Sequence, residues 1–154
     1  MLVKDIAKAV RKSDAIKIYI SNIMTQPGET TGFKASDHLK VLLKYGSKDI
    51  VDYVIANTGE ITEELREKYA QDGAELVKLD SEVINSLGIK IVGENLVKIK
   101  NGLVKHDSAK LAEVLVDTIM EKKLLYDKKK IIEYMYLSQR IKERIREEKG
   151  KEIE

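Results

Sequence analysis

Short β-branched runs alternate with stretches of helical periodicity along most of this chain, and that alternation is its strongest constraint. Ile6, Ala7 and Val10, with Leu2 and Val3 before them, recur at helical spacing among charged residues. Ala15 to Ile23 is mostly apolar and β-branched, the pattern of a strand covered on both faces. A polar loop, Met24 to Lys34, leads to a helix that Ser36 can cap and that Gly46 stops. A second strand is expected at Ile50 to Ala56, then a helix from Thr62 to about Gln71, closed by Gly73. A third strand at Leu76 to Leu79, a short helix at Ser81 to Leu87 and a fourth strand at Ile89 to Val92 follow. The segment through Lys105 shows less regularity. Ser108 starts a helix through Met120, and Asp127 caps a last helix over 128–148. Strands joined by helices through short connections predict a mainly parallel sheet of about four strands with right-handed crossovers.

Composition removes several classes of function. With no cysteine, disulfides, zinc–thiolate centres and thiol nucleophiles are excluded, and two histidines leave little for a histidine-built metal site. The 28 basic and 26 acidic residues nearly cancel, at +2, without the basic excess expected of a nucleic-acid binder. No apolar run is long enough to span a membrane as a helix, and Met1 to Arg11 lacks a signal-peptide core. A cytoplasmic location is the expectation. From Glu121 onward Lys, Arg and Glu dominate, so 1–120 is expected to form the α/β domain and 121–154 a charged helical extension. Ile131, Tyr134, Met135, Leu137, Ser138 and Ile141 trace a narrow stripe there, suited to a solvated helix or to one packed on another chain.

In open parallel sheets, ligands bind beyond the carboxyl ends of the strands. The residues following the strands are therefore candidates: Ser21, Asn22, Thr25, Gln26, Gly28, Glu29 and Thr30; Asn57, Thr58 and Gly59; Asp80; and Lys105, His106 and Asp107. The first loop is long for a strand–helix connection. Gly28 and Gly32 permit close backbone approach, and the next helix aims free N–H groups at the same edge. A surface loop of turn residues explains the same features. Asp37-His38 reads as a polar pair in a first helical turn or as a dyad; a protonated His38 would oppose the helix dipole, so neutrality is expected. Asp107 can cap the following helix, which leaves Lys105 unexplained. Tyr69 makes an i, i+4 apolar pair with Leu65, or extends its phenol to a ligand.

The stretch Ile18 to Lys40, IYISNIMTQPGETTGFKASDHLK, resembles the YvcK family, the gluconeogenesis-factor relatives of 2-phospho-L-lactate transferase (CofD). Asn22, the run Met24 to Thr30 and Ala35-Ser36-Asp37-His38 carry the resemblance. It continues through Asp52-Tyr53-Val54-Ile55, Glu67-Lys68-Tyr69 and Gly102 to Asp107, about Ile6 to Val116 in all. It implies an α/β, three-layer, mainly parallel Rossmann-like sheet with flanking helices, followed here by the charged C-terminal helix. The Gly-rich turn with which family members begin is absent from this sequence, which is expected to correspond to the C-terminal half. The resemblance implies binding of UDP-sugars, UDP-N-acetylglucosamine in particular, and a link between carbon metabolism, cell-wall synthesis and cell shape. It implies no catalytic residue, cofactor or metal on this chain. Tyr69 and Lys105 are the sugar-nucleotide contacts it implies; with Asn22, Thr25, Gln26, Gly28, Glu29 and Thr30 of the first loop they make the expected ligand-binding set. Lys105 stands where the family commonly has Arg, keeping the charge without the bidentate fork. CofD-like phosphoryl-group transfer and an assembly module are the alternatives. A sheet edge left uncovered makes self-association the expectation. Neither nucleic acid nor membrane is an expected partner.

Overall fold

A computed structural model describes residues 4–46, 48–124 and 131–151. The elements in order are α1 (Lys4–Lys12), β1 (Ile18–Ile20), α2 (Ala35–Gly46), a 3-10 turn (Lys48–Ile50), β2 (Tyr53–Asn57), α3 (Glu63–Gln71), α4 (Ser81–Ser86), β3 (Lys90–Glu94), β4 (Val97–Lys100), β5 (Leu103–His106), α5 (Ser108–Leu124) and α6 (Ile131–Lys151). Two compact units result, 1–106 and 107–154. In the second, Asp107 Oδ1 accepts the N–H groups of Ala109 (3.1 Å) and Lys110 (3.2 Å) at the start of α5, and α5 packs on α6. No described helix is long and apolar enough to cross a membrane. Leu2, Val3 and the expected cap Asp127 lie outside the described residues.

The first unit is built on a three-stranded parallel sheet in the order β1-β2-β3, flanked by helices. Register sets Tyr19, Val54 and Ile91 in one row and Ile20, Ile55 and Val92 in the row on the opposite face. The Tyr19–Val54–Ile91 row belongs to a core with Ala7 and Val10 of α1, Leu39 and Leu42 of α2, and Ile84 of α4. Val54, Ile55, Leu39 and Ile84 are fully buried. Burying a side chain of this kind contributes about 1.5–3 kcal/mol. The central position of β2 explains its unbroken apolar character, because it is covered on both sides and both faces.

Three expectations are corrected. The first strand is Ile18–Ile20, not Ala15 to Ile23, and its residues are only half-buried because, among the described strands, β1 pairs with β2 alone. Leu76 to Leu79 is not a sheet strand: Leu76 makes an isolated antiparallel bridge with Met24, so three strands form the sheet rather than four. The segment read as irregular before Lys105 is an antiparallel hairpin, β4–β5, turned by Asn101 (φ 53°) and Gly102 (φ 69°). Two successive positive φ angles make the turn whose twist matches a hairpin, and Asn-Gly is its preferred sequence.

Candidate functional site

The carboxyl edge of the sheet is organised by Asn57, the last residue of β2, which is 9 % exposed. Its Nδ2 donates to the Gly59 carbonyl (2.7 Å), while Oδ1 accepts the N–H groups of Gly59 (3.0 Å) and Leu96 (3.0 Å). One side chain thus bends the chain leaving β2 and holds the entry to β4. A Cβ at position 59 would lie 1.9 Å from Oδ1 of the exposed Asn95, so that side chain must turn aside for any larger residue.

The polar loop after β1 is fastened along the segment 73–80. Val77 N–H donates to Ile23 O (2.8 Å) and Thr25 N–H to Glu75 O (2.8 Å), and the buried Thr25 hydroxyl accepts from Glu75 N–H (2.9 Å). At the loop's far end Ala35 N–H donates to Lys78 O (2.9 Å). Ser36, fully buried, gives its N–H and its hydroxyl to the two oxygens of Asp80 (2.9 and 2.5 Å). Ser36 therefore lies inside α2 and is not its cap. Asp80, at the N-cap of α4, makes no side-chain cap bond there and anchors the loop instead. Between the anchors Gln26-Pro27-Gly28-Glu29 forms a turn: Glu29 N–H donates to Gln26 O (3.1 Å) and Gly28 sits at φ 79°. Pro then Gly at the centre is the type II preference. The Thr30 hydroxyl accepts from Gln26 N–H (2.8 Å) and Thr31's from Gly28 N–H (3.1 Å), so the loop's own hydroxyls engage these backbone donors.

Helix α3 and the hairpin form the other half of the candidate site. Thr62 caps α3 as its position predicts. The Tyr69 phenol oxygen accepts the Val104 N–H (2.8 Å), and Lys68 Nζ donates to Gly102 O (3.2 Å) at the hairpin tip. On the same hairpin His106 Nε2 lies 3.2 Å from Ser21 O at the end of β1. Lys105, between Val104 and His106, is exposed. The phenol, having accepted the N–H of the residue before Lys105, still has its own O–H to donate.

A cleft of about 580 Å³ opens beside β2's carboxyl end, lined among others by Asn57, Thr58, Arg66, Ala70, Leu76 and Lys78. Arg66 is engaged there by Glu60 (2.8 Å) and Glu63 (3.3 Å). Asn22, Thr25, Gln26, Gly28, Glu29, Thr30, Tyr69 and Lys105 do not line this cleft. Asn22 is half-exposed at the end of β1, and Gln26, Gly28 and Glu29 are exposed at the loop turn. Asn57, Thr58 and Gly59, the candidates after the second strand, do line it.

His38 is 8 % exposed, its ring edge-on to Phe33 (centroids 5.3 Å) and tilted against Tyr19 (6.5 Å), and its Nε2 is buried without a partner. Burial lowers its pKa, against a smaller opposing pull from Asp37. The expected neutrality thus arises chiefly from desolvation rather than from the helix dipole. Asp37 is held below the usual carboxylate range by hydrogen bonds from Lys40 Nζ (2.9 Å) and Lys34 N–H (3.0 Å). It serves the helix end and does not contact His38 as a dyad partner would.

The profile of the family 2-phospho-L-lactate transferase CofD matches residues 1–97. A protein of Clostridium acetobutylicum named as a gluconeogenesis factor is 52 % identical over 149 residues, which is 97 % of this chain and 33 % of the relative. The gluconeogenesis factor of Bacillus subtilis is 36 % identical over 121 residues, 79 % of this chain and 38 % of that one. A crystal structure of a Bacillus halodurans protein superposes with a TM-score of 0.71 at 35 % identity, covering 74 % of this chain and 37 % of its own. The chain spans about a third of the length of these relatives, less than the half expected from its sequence.

Proposed function

The chain belongs to the CofD family, and from that premise we propose that it contributes a regulatory nucleotide-sugar site, of the UDP-N-acetylglucosamine class, to a gluconeogenesis factor. Such a protein would couple carbon supply to cell-wall synthesis and cell shape. The observation that supports this reading is the hydrogen bond from Val104 N–H to the Tyr69 phenol (2.8 Å), which ties the ring to the strand residue next to Lys105. A phenolic donor next to an ammonium suits the oxygens of a phosphorylated sugar. The fastened loop from Thr25 to Thr30 provides a fixed wall at the same edge of the sheet. A thermal-shift panel of nucleotide-sugars tests it: UDP-N-acetylglucosamine should raise the melting temperature more than GDP-mannose or free N-acetylglucosamine. Equal shifts throughout, or none, would refute selectivity for this class.

The family's description favours a second reading, group transfer from a phosphorylated substrate. Turnover of a nucleotide substrate with a divalent metal, followed by phosphorus NMR, separates this from pure binding.

A further inference from the structure

The last turns of α1 and α2 come together away from the candidate site. Each helix ends shortly before its strand begins, α1 before β1 and α2 before β2, so both ends lie toward the amino edge of the sheet, opposite Asn57. A hollow of about 400 Å³ opens there, lined among others by Ala7, Lys8 and Arg11 of α1 and by Leu43, Lys44 and Tyr45 of α2. Lys8 and Arg11 are neighbours on one helix face, three positions apart. Lys8, Arg11 and Lys44 are all exposed, and no carboxylate is among the described lining residues. Among the described residues Lys40, Arg66 and Lys110 form ion pairs, whereas Lys8, Arg11 and Lys44 do not. Lys44 Nζ stands 5.7 Å from the centre of the Tyr45 ring, a contact that leaves the ammonium N–H groups free to donate.

Basic residues in a last helical turn are ordinarily explained by the helix dipole, whose C-terminal end carries about −0.5 elementary charge. Two such ends offset about one of the three positive charges. The Ala9 and Val10 carbonyls of α1 are moreover already engaged by Ser13 N–H (3.2 Å to each). About two positive charges remain for the hollow, and a phosphate monoester carries about −1.5 to −2 at neutral pH with three acceptor oxygens. The planar fork of Arg11 can take two of those oxygens, and the lysines are point charges for the third. The Tyr45 ring, 54 % exposed, offers apolar surface beside them. We propose that the hollow between α1 and α2 is a second anion site, which takes a phosphate dianion and is separate from the nucleotide-sugar site at the carboxyl edge.

The test titrates phenyl phosphate, glycerol phosphate, inorganic phosphate and dimethyl phosphate, a monoanion, into the full chain at low ionic strength, followed by nitrogen–proton correlation NMR. The amides of Ala7, Lys8, Arg11, Lys44 and Tyr45 should shift saturably with the dianions and least with dimethyl phosphate. Tighter binding of the two esters assigns the phosphate to an ester, and equal binding of inorganic phosphate assigns it to the free ion; either supports the site. Arg11→Gln and Lys44→Gln should each weaken phenyl phosphate by about fivefold, the upper end for one exposed ion pair. Arg11→Lys should weaken it less, and Lys12→Gln, a control for net charge, should leave it unchanged. Arg11→Met and Lys44→Met, which keep an apolar stem, serve if the glutamine variants fail to fold by circular dichroism. Shifts that do not saturate, or saturable binding that the folded Arg11 and Lys44 variants leave unchanged, would overturn the inference. Neither outcome bears on the nucleotide-sugar reading, which rests on other residues.

Discussion

Tyr69→Phe removes a single oxygen, and the structure says what that oxygen does. It accepts the N–H of Val104 at 2.8 Å, in a part-buried position between α3 and β5. A neutral hydrogen bond contributes about 0.5–1.5 kcal/mol net, and leaving a buried donor unpaired costs about 1–3 kcal/mol. Partial solvent access places the substitution near the lower part of that range, at about 1–2 kcal/mol. One or two kcal/mol is a factor of about 5–30 in an equilibrium constant. The hairpin is held to α3 by this bond and by Lys68 to Gly102, so the cost falls on local opening of the hairpin. Amide exchange at Val104, read by NMR, should accelerate by about 5–30-fold, while amides of β2 change little. In urea, with a slope of about 2 kcal/mol/M, a cost carried into global unfolding would lower the midpoint by about 0.5–1 M. Unchanged exchange at Val104 in Tyr69→Phe would show that the phenol does not hold the hairpin, and would remove the reason for placing Tyr69 beside Lys105. Binding adds a second readout. Tyr69→Phe keeps the ring and loses the donor, so it should weaken UDP-N-acetylglucosamine less than Tyr69→Ala if the ring stacks on the ligand, and nearly as much if only the hydroxyl matters.

Asp80→Ala should cost about 2–4 kcal/mol, because it leaves both the N–H and the hydroxyl of the buried Ser36 unpaired; Asp80→Asn should cost much less, and equal denaturation midpoints for the two would contradict the anchoring role. His38 is held neutral, with a folded-state pKa below its unfolded value of 6.5. Its contribution is therefore complete above about pH 6.5 and is lost as pH falls through and below that value. His38→Leu should flatten the stability–pH slope just below pH 6.5, and an unaltered slope would contradict the burial argument. Gly59→Ala should cost about 0.5–1.5 kcal/mol, because the new Cβ turns Asn95 Oδ1 away from the Val97 N–H that it accepts, and an unchanged melting temperature would contradict that role for Asn95. Because β1 pairs with β2 alone among the described strands, the chain should self-associate; strictly monomeric light scattering at high concentration would contradict this.

The parallel core was legible because burial on both faces writes β2 as Val-Ile-Ala and because caps write helix ends, as Thr62 does for α3. The strand at Leu76 to Leu79 was misread because an apolar run reports burial, not its pairing partner: Val77 is buried in the core, but its N–H bonds the loop carbonyl of Ile23. The hairpin was missed although Asn101-Gly102 signalled it: Val-Lys-Ile-Lys before the turn alternates at period two, but Leu-Val-Lys-His after it does not. Missing it hid the pairing of Lys98 with Lys105, which no linear spacing reveals. The same limit applied to Ser36, read alone as a helix cap, and Asp80, read as a candidate binding residue: only the fold joins them across 44 positions. The bond from the Val104 N–H to the Tyr69 phenol likewise joins residues 35 positions apart that only the fold brings into contact.

The central claim is that the ammonium of Lys105 holds a phosphate of a nucleotide-sugar beside Tyr69. Calorimetric titration of UDP-N-acetylglucosamine into the chain and into Lys105→Ala tests it directly. A charge-assisted hydrogen bond contributes about 1.5–3 kcal/mol, so Lys105→Ala should weaken binding by roughly ten- to a hundred-fold. An affinity unchanged by Lys105→Ala would contradict the account.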